Sequence, residues 1–222
     1  MIKKFRYIGF SLALFLTLGL LLSAMAQNEA DPILSFYCRR AQETYGTRDP
    51  LERGLTFSYR ARTYYMNISD KGEVTRLDSG IVDYYYSFGD LDSSQVIVKP
   101  ERSQKPVDLW FYNVFADDYE FSFFPNDTGG ADLAIGFDTR NANDTLPVGL
   151  TVIDRERFFL KQLYLHYPNK KYYKRFSRSF RLIEHQGYIF ADSLVLVSAK
   201  QGVFITEHFR VETGISDITI YR

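Results

Sequence analysis

The 222-residue chain is poor in the residues from which most catalytic and metal centres are built: it has one cysteine, three histidines and one tryptophan. A single thiol, Cys38, rules out an internal disulfide framework and reads as a small core residue on a helix. His166, His185 and His208 lie far apart in sequence, so no metal site is expected from them. There is no Gly-x-Ser-x-Gly elbow, no His-Glu-x-x-His, no phosphate-binding loop and no dinucleotide glycine fingerprint. A non-catalytic protein without a cofactor is therefore the expectation. An excess of positive charge is missing too, since 27 basic residues face 27 acidic ones, and this balance argues against nucleic acid as a partner. Repeats of solenoid length are absent, and no composition shift marks an internal domain boundary.

Long apolar runs are missing as well, with one exception at the start. Lys3, Lys4 and Arg6 precede a nearly continuous apolar stretch from Ile8 to Ser23, and Ala24-Met25-Ala26 supplies a small-x-small pattern. This is the layout of an export signal, with cleavage expected after Ala26. Residues 1–26 are then a signal peptide and 27–222 a single domain, periplasmic or, alternatively, secreted. A lipid-anchored form would need a cysteine at the cleavage point, and Cys38 lies well past it. Three of the basic residues fall in the leader and none of the acidic ones, so the remainder carries a net charge of −3.

What the chain has in abundance is aromatic surface: 17 tyrosines and 19 phenylalanines. Large aromatics suit pleated, half-buried surfaces and also line apolar cavities. Asp31-Pro32 opens a helix, with a capping side chain before proline at the first helical position. Ile33, Leu34, Tyr37, Cys38, Ala41 and Tyr45 follow at spacings of three and four and build one apolar stripe, with Gly46 as the expected stop.

From Leu55 the period switches to two. Leu55, Phe57, Tyr59, Ala61 and Tyr65 share one face of a strand, while Ser58, Arg60 and Arg62 share the other. Asp70-Lys71-Gly72 reads as a hairpin turn, and the chain returns through Glu73–Leu77 and Gly80–Phe88, with Val82, Tyr84, Tyr86 and Phe88 on one face. Gln95–Val98, Asp108–Phe115, Tyr119–Phe124 and Ala131–Asp138 are further strand candidates. Within Asp108–Phe115, Trp110 and Tyr112 share a face. From Asp144 onward, apolar-aromatic runs are closed by turn-type clusters at Asp154–Glu156, Pro168–Lys171, His185–Gly187, Lys200–Gly202 and Thr213-Gly214. The fold class expected is α+β and mostly β, with about eleven antiparallel strands and one leading helix.

Few segments offer chemistry. Asp90-Leu91-Asp92 and Asp117-Asp118 read as turn aspartates bonding to nearby backbone. Three Asn-x-Ser/Thr triplets, at Asn67, Asn126 and Asn143, match a short glycosylation pattern. Lys170–Arg181 is basic and interleaved with aromatics. A solvated strand face is the commoner meaning of such a run, and a patch for anionic headgroups or an acidic envelope partner is the functional one.

Leu109-Trp110-Phe111-Tyr112-Asn113, following a polar loop, resembles a strand motif of the LolA-like periplasmic lipoprotein carriers. Leu146–Asp154, followed by Phe158–His166, resembles later strands of the same outer-membrane lipoprotein-sorting superfamily. The resemblance implies an incomplete, curved antiparallel barrel with helices across its mouth as a lid, and an apolar cavity that receives acyl chains. Phe57, Tyr59, Tyr65, Tyr84, Tyr86, Trp110 and Tyr112 are the expected cavity residues. The resemblance also implies an arginine that helps to hold the lid, and Arg60 or Arg62 stands in the matching region. The partner expected is an acyl chain or lipid, carried alone or on a lipoprotein. The alternative is an envelope interaction protein whose core is filled by its own side chains and whose basic strand 170–181 docks an envelope membrane protein. A transmembrane barrel fits less well, because Arg60 and Arg62 would fall on lipid-facing positions.

Overall fold

The computed structural model describes residues 32–101, 119–123, 130–140, 146–201 and 206–221. These form one helix, α1 (Pro32–Arg48), and ten strands: β1 (Thr56–Ile68), β2 (Val74–Ser87), β3 (Asp90–Val98), β4 (Tyr119–Phe123), β5 (Asp132–Thr139), β6 (Val148–Asp154), β7 (Leu160–His166), β8 (Tyr173–His185), β9 (Tyr188–Gln201) and β10 (Thr206–Tyr221). All ten join one antiparallel sheet in the order β3-β2-β1-β10-β9-β8-β7-β6-β5-β4. Among the described strands the sheet is curved but not closed, with β3 and β4 at its two ends. The strand candidate Asp108–Phe115 and the pair Asp117-Asp118 lie outside the described residues.

The last strand explains this order. β10 crosses back to pair with β1, so the N-terminal hairpin is inserted at one flank and the remaining strands follow in simple succession. One row of inward side chains then runs from Thr63 and Thr213 through Leu194, Phe180 and Leu163 to Ile135. Because the side-chain period of a strand is two, this register puts every second residue of each strand on the inner face.

Helix α1 lies against that face and buries Leu34, Cys38 and Ala41 within the core. These positions are four and three residues apart, one stripe of the helix. Two ends of the expected stripe differ. Ile33 is exposed, because the docking face begins only at Leu34. The helix also passes through Gly46 to Arg48 and ends where Asp49 and Pro50 begin a new turn, Asp49 N–H donating to the Tyr45 carbonyl at 2.9 Å. Burial at the helix drives the Cys38 thiol pKa up to about 12.

Two turn readings hold and three others change in detail. Ser69–Gly72 and His185–Gly187 are hairpin turns as expected, with Gly72 and Gly187 at φ 85° and 88°. Phe88 belongs to a turn rather than a strand: Phe88 and Gly89 both take positive φ, and Phe88 is exposed. Asp90 and Asp92 lie in edge strand β3, whose register shifts twice against β2; nine exposed residues gave it no alternation to read. Thr213-Gly214 does not end a strand. β10 continues to Tyr221 because β1 supplies its ladder partners after β9 has diverged at Gly214.

Candidate functional site: the inner face of the open sheet

The inner face divides into a filled half and an open half. In the filled half, Phe57, Tyr59, Tyr84 and Tyr86 are 0, 1, 2 and 8% exposed and belong to the same buried cluster as Leu34, Cys38 and Ala41 of α1. The register places Phe57 opposite Tyr86 and Tyr59 opposite Tyr84. Phe57 and Tyr86 stack with centroids 4.6 Å apart, Tyr59 and Tyr84 meet at 5.3 Å, and Phe190 closes edge-on over Phe57 at 5.3 Å. Burial raises the phenol pKa of Tyr84 to about 12 and drives that of Tyr59 higher still, so both stay neutral. The Tyr59 hydroxyl has that of Tyr86 as its polar neighbour, yet no described atom completes a hydrogen bond with it.

Toward the other end of β1 the face opens. Tyr65 is half-buried and stacks on Phe209 of β10 at 6.4 Å. Beyond this pair lies an open cleft of 540 Å³, lined among others by Asn67, Ser198, Phe209, Lys200, Glu207 and Tyr173. The register explains the lining. Asn67, Phe209 and Ser198 form one cross-strand row, and Glu207, Lys200 and Tyr173 form the next. Asp70 and His208 meet at 3.2 Å at its margin. The volume is that of a small-ligand site, and its chemistry is mixed: an aromatic floor with amide, hydroxyl and charged groups around it.

Of the expected cavity residues, five of the seven are therefore on one face of the β1–β2 hairpin, four in the buried cluster that includes Leu34, Cys38 and Ala41 of α1, and Tyr65 beside the cleft. Trp110 and Tyr112 lie outside the described residues. Arg60 points to the outer face, where its guanidinium holds Asp83 with both arms, at 2.7 and 2.9 Å, and reaches Asp217 at 3.3 Å. Arg62 shares that face and is exposed. Among the described residues, Arg48 of α1 pairs with Glu184 of β8 at 3.3 Å. At the start of the helix Phe36, Tyr37 and Arg40 pack on the Phe158 ring of the β6–β7 turn.

The cleft residues on β9 and β10 escaped the sequence reading, though a signal was there. Phe209, Val211, Thr213 and Ile215 alternate with polar residues straight through Thr213-Gly214, and that period of two marks one continuous strand. Among the described residues no group of three or more His, Cys, Asp or Glu side chains is placed to hold a metal ion.

Fold and cleft together define a class, an open antiparallel half-barrel with a helix packed on its inner face. No protein-family model and no curated protein matches the chain. Among solved structures, it is similar to a LolA superfamily protein from Nitrosomonas europaea, at 10% identity and a TM-score of 0.39, over 82% of this chain and 94% of that one. An outer membrane lipoprotein-sorting protein domain from Vibrio parahaemolyticus matches at 10% identity and a TM-score of 0.40, over 82% and 91%. MucB in complex with MucA(peri) matches at 8% identity and a TM-score of 0.20, over 82% and 99%.

Proposed function

We propose that this chain is an exported, non-catalytic carrier or binding protein that receives an acyl chain, a lipid or a lipoprotein on the inner face of its half-barrel. The observation that supports this reading is the cleft of 540 Å³ at the end of the inner face away from α1, floored by Phe209 and Tyr173 and continuous with Tyr65. A curved sheet with one helix leaves part of its apolar inner face to be covered by something else, and an acyl chain is the simplest complement to an aromatic floor. The polar groups at the margin then meet the ligand's headgroup or polypeptide. No step of this reading needs bond chemistry, a metal or a cofactor, and it places the protein in the periplasm after removal of residues 1–26.

Protein expressed with its own leader and purified from the periplasm tests it. Native mass spectrometry and analysis of the organic extract should find an acyl-bearing adduct. Replacing Phe209 with Asp, with circular dichroism to confirm folding, should lower its occupancy. Folded protein that carries no adduct and takes up none of a panel of fatty acids, phospholipids and lipopeptides would sink the carrier reading.

A second reading is favoured by one specific observation. Phe57, Tyr59, Tyr84 and Tyr86 are already buried against one another. On this reading the protein is an envelope interaction module with a self-filled core, and the basic aromatic strand 170–181 docks an envelope membrane protein. Recovery of a stoichiometric membrane-protein partner with empty, adduct-free protein is the outcome that separates it from the first.

A further inference from the structure

We infer that the β7–β8 hairpin tip, Lys170–Arg175, is a docking point for an anionic lipid bilayer surface. The inference goes beyond the carrier reading and stands on the exposed tip residues Lys170, Lys171, Tyr172, Lys174 and Arg175, which that reading does not use. From Arg157 to Ile183 the sequence has no aspartate or glutamate, in a chain whose total charge is balanced. The fold concentrates this asymmetry. Lys170, Lys171, Lys174 and Arg175 are all exposed at one turn, and among the described residues none of the four takes part in an ion pair.

The second observation is the residue at the apex. Tyr172 has φ 69°, a left-handed conformation that suits glycine or asparagine and is unfavourable for a bulky side chain. The backbone around it is pinned: Tyr173 N–H donates to the Lys170 carbonyl at 3.1 Å, and Gln201 N–H donates to the Tyr172 carbonyl at 3.0 Å. The outcome of this unfavourable geometry is an aromatic ring 65% exposed, with the Lys171 ammonium 4.9 Å from its centroid. Nothing in the packing requires a tyrosine there. Backbone strain that serves no packing is the kind that marks a functional site.

A solvent-exposed tyrosine among unpaired cations is the composition of a membrane-interface anchor. The ring sits at headgroup depth, while lysine and arginine meet lipid phosphates. A projecting hairpin tip suits a surface better than it suits an acidic peptide, which would need a groove to lie in. The position also fits transfer of a ligand: Tyr173, the next residue, lines the cleft, so a bilayer touching the tip faces the cleft's margin. Across the sheet Glu207 is separated from Tyr173 by Lys200 in the register.

The test is co-sedimentation of the purified exported protein with vesicles of equal parts phosphatidylglycerol and phosphatidylcholine, against vesicles of phosphatidylcholine alone. The preparation is checked by mass for loss of residues 1–26, because Lys3, Lys4 and Arg6 of a retained leader would themselves favour anionic vesicles. The expected result is a preference of about tenfold or more for anionic vesicles at low salt, lost at high salt. Replacing Lys170, Lys171, Lys174 and Arg175 together with glutamate should abolish the preference, and replacing the three lysines with arginine should keep it. Tyr172→Gly separates anchor from scaffold, because glycine relaxes the backbone: the melting temperature should rise while vesicle binding falls. Equal binding to both vesicle types, a preference that survives the charge reversal, Tyr172→Gly that binds like the parent, or competition by soluble polyglutamate as effective as that by anionic lipid would each overturn the proposal.

Discussion

Arg60 and Asp83 sit directly opposite each other on β1 and β2, and the guanidinium grips the carboxylate with two hydrogen bonds, Nε to Oδ1 at 2.7 Å and Nη2 to Oδ2 at 2.9 Å. Two parallel bonds to a half-shielded carboxylate fix the register of the hairpin that carries Phe57, Tyr59, Tyr84 and Tyr86 on its other face. The outer face thus orients the inner one.

The pair has a pH signature with a definite sign. The hydrogen bonds from Arg60 hold the Asp83 carboxyl pKa below its ordinary value of 3.8. A carboxylate whose folded pKa is depressed contributes stability above its unfolded pKa and loses it as pH falls through the folded one. Asp83→Asn should therefore have a lower urea midpoint than the parent at neutral pH, and the two should converge as the pH drops below 3.8. Parallel curves down to strong acid would show that the pair contributes nothing.

Gly149 on β6 offers a steric test of the sheet's curvature. A Cβ built there would lie 1.9 Å from the Tyr164 carbonyl oxygen and 3.1 Å from the Phe137 ring. The first contact is with backbone, which cannot rotate away, so β6 and β7 would have to separate. Gly149→Ala should cost about 3 kcal/mol by denaturant unfolding, whereas Gly214→Ala, with nothing within 4 Å, should cost little.

Cys38 reports on the helix. With its thiol pKa pushed up to about 12 by burial, it carries almost no thiolate at pH 8. Iodoacetamide should leave the folded protein unmodified and alkylate it once urea has released α1 from the sheet. Fast labelling of otherwise folded protein would mean that α1 lifts readily from the inner face, and so would favour a helix that opens for ligand.

The sequence revealed most where a side-chain period had a face to report. The Phe57–Tyr65 alternation, the Leu34–Cys38–Ala41 stripe and the glycine turn at 185–187 all emerge as read. Edge strand β3 was hidden because exposure on both faces removes the period, and its aspartates then mimic a turn. Gly214 looked like punctuation, yet a strand paired with β1 tolerates it, since the ladder there depends on backbone partners and not on a Cβ. The cleft was the least legible feature. Asn67, Phe209 and Ser198 meet only through the pairing of β10 with both β1 and β9, a long-range choice that no local window contains.

The last prediction turns on one buried oxygen. The Tyr59 side chain is 1% exposed, and its hydroxyl completes no hydrogen bond with any described atom. An unsatisfied buried hydroxyl carries its desolvation cost without compensation, so removing it while keeping the ring should help. In ligand-free protein Tyr59→Phe should raise stability by about 1 kcal/mol, whereas Phe57→Ala, which empties the space stacked against Tyr86, should lower it by about 3 to 5 kcal/mol. The two readings of function then part. If the core is self-filled, Tyr59→Phe changes stability alone. If an acylated ligand enters past Tyr65 and reaches this row, its ester or amide oxygen is a natural acceptor for the Tyr59 hydroxyl, and the same variant should weaken binding several-fold while melting higher. Urea unfolding and lipopeptide titration on one preparation give both numbers. A Tyr59→Phe protein that is less stable than its parent would show that the hydroxyl is already satisfied, and the polar handle would have to be sought nearer the cleft.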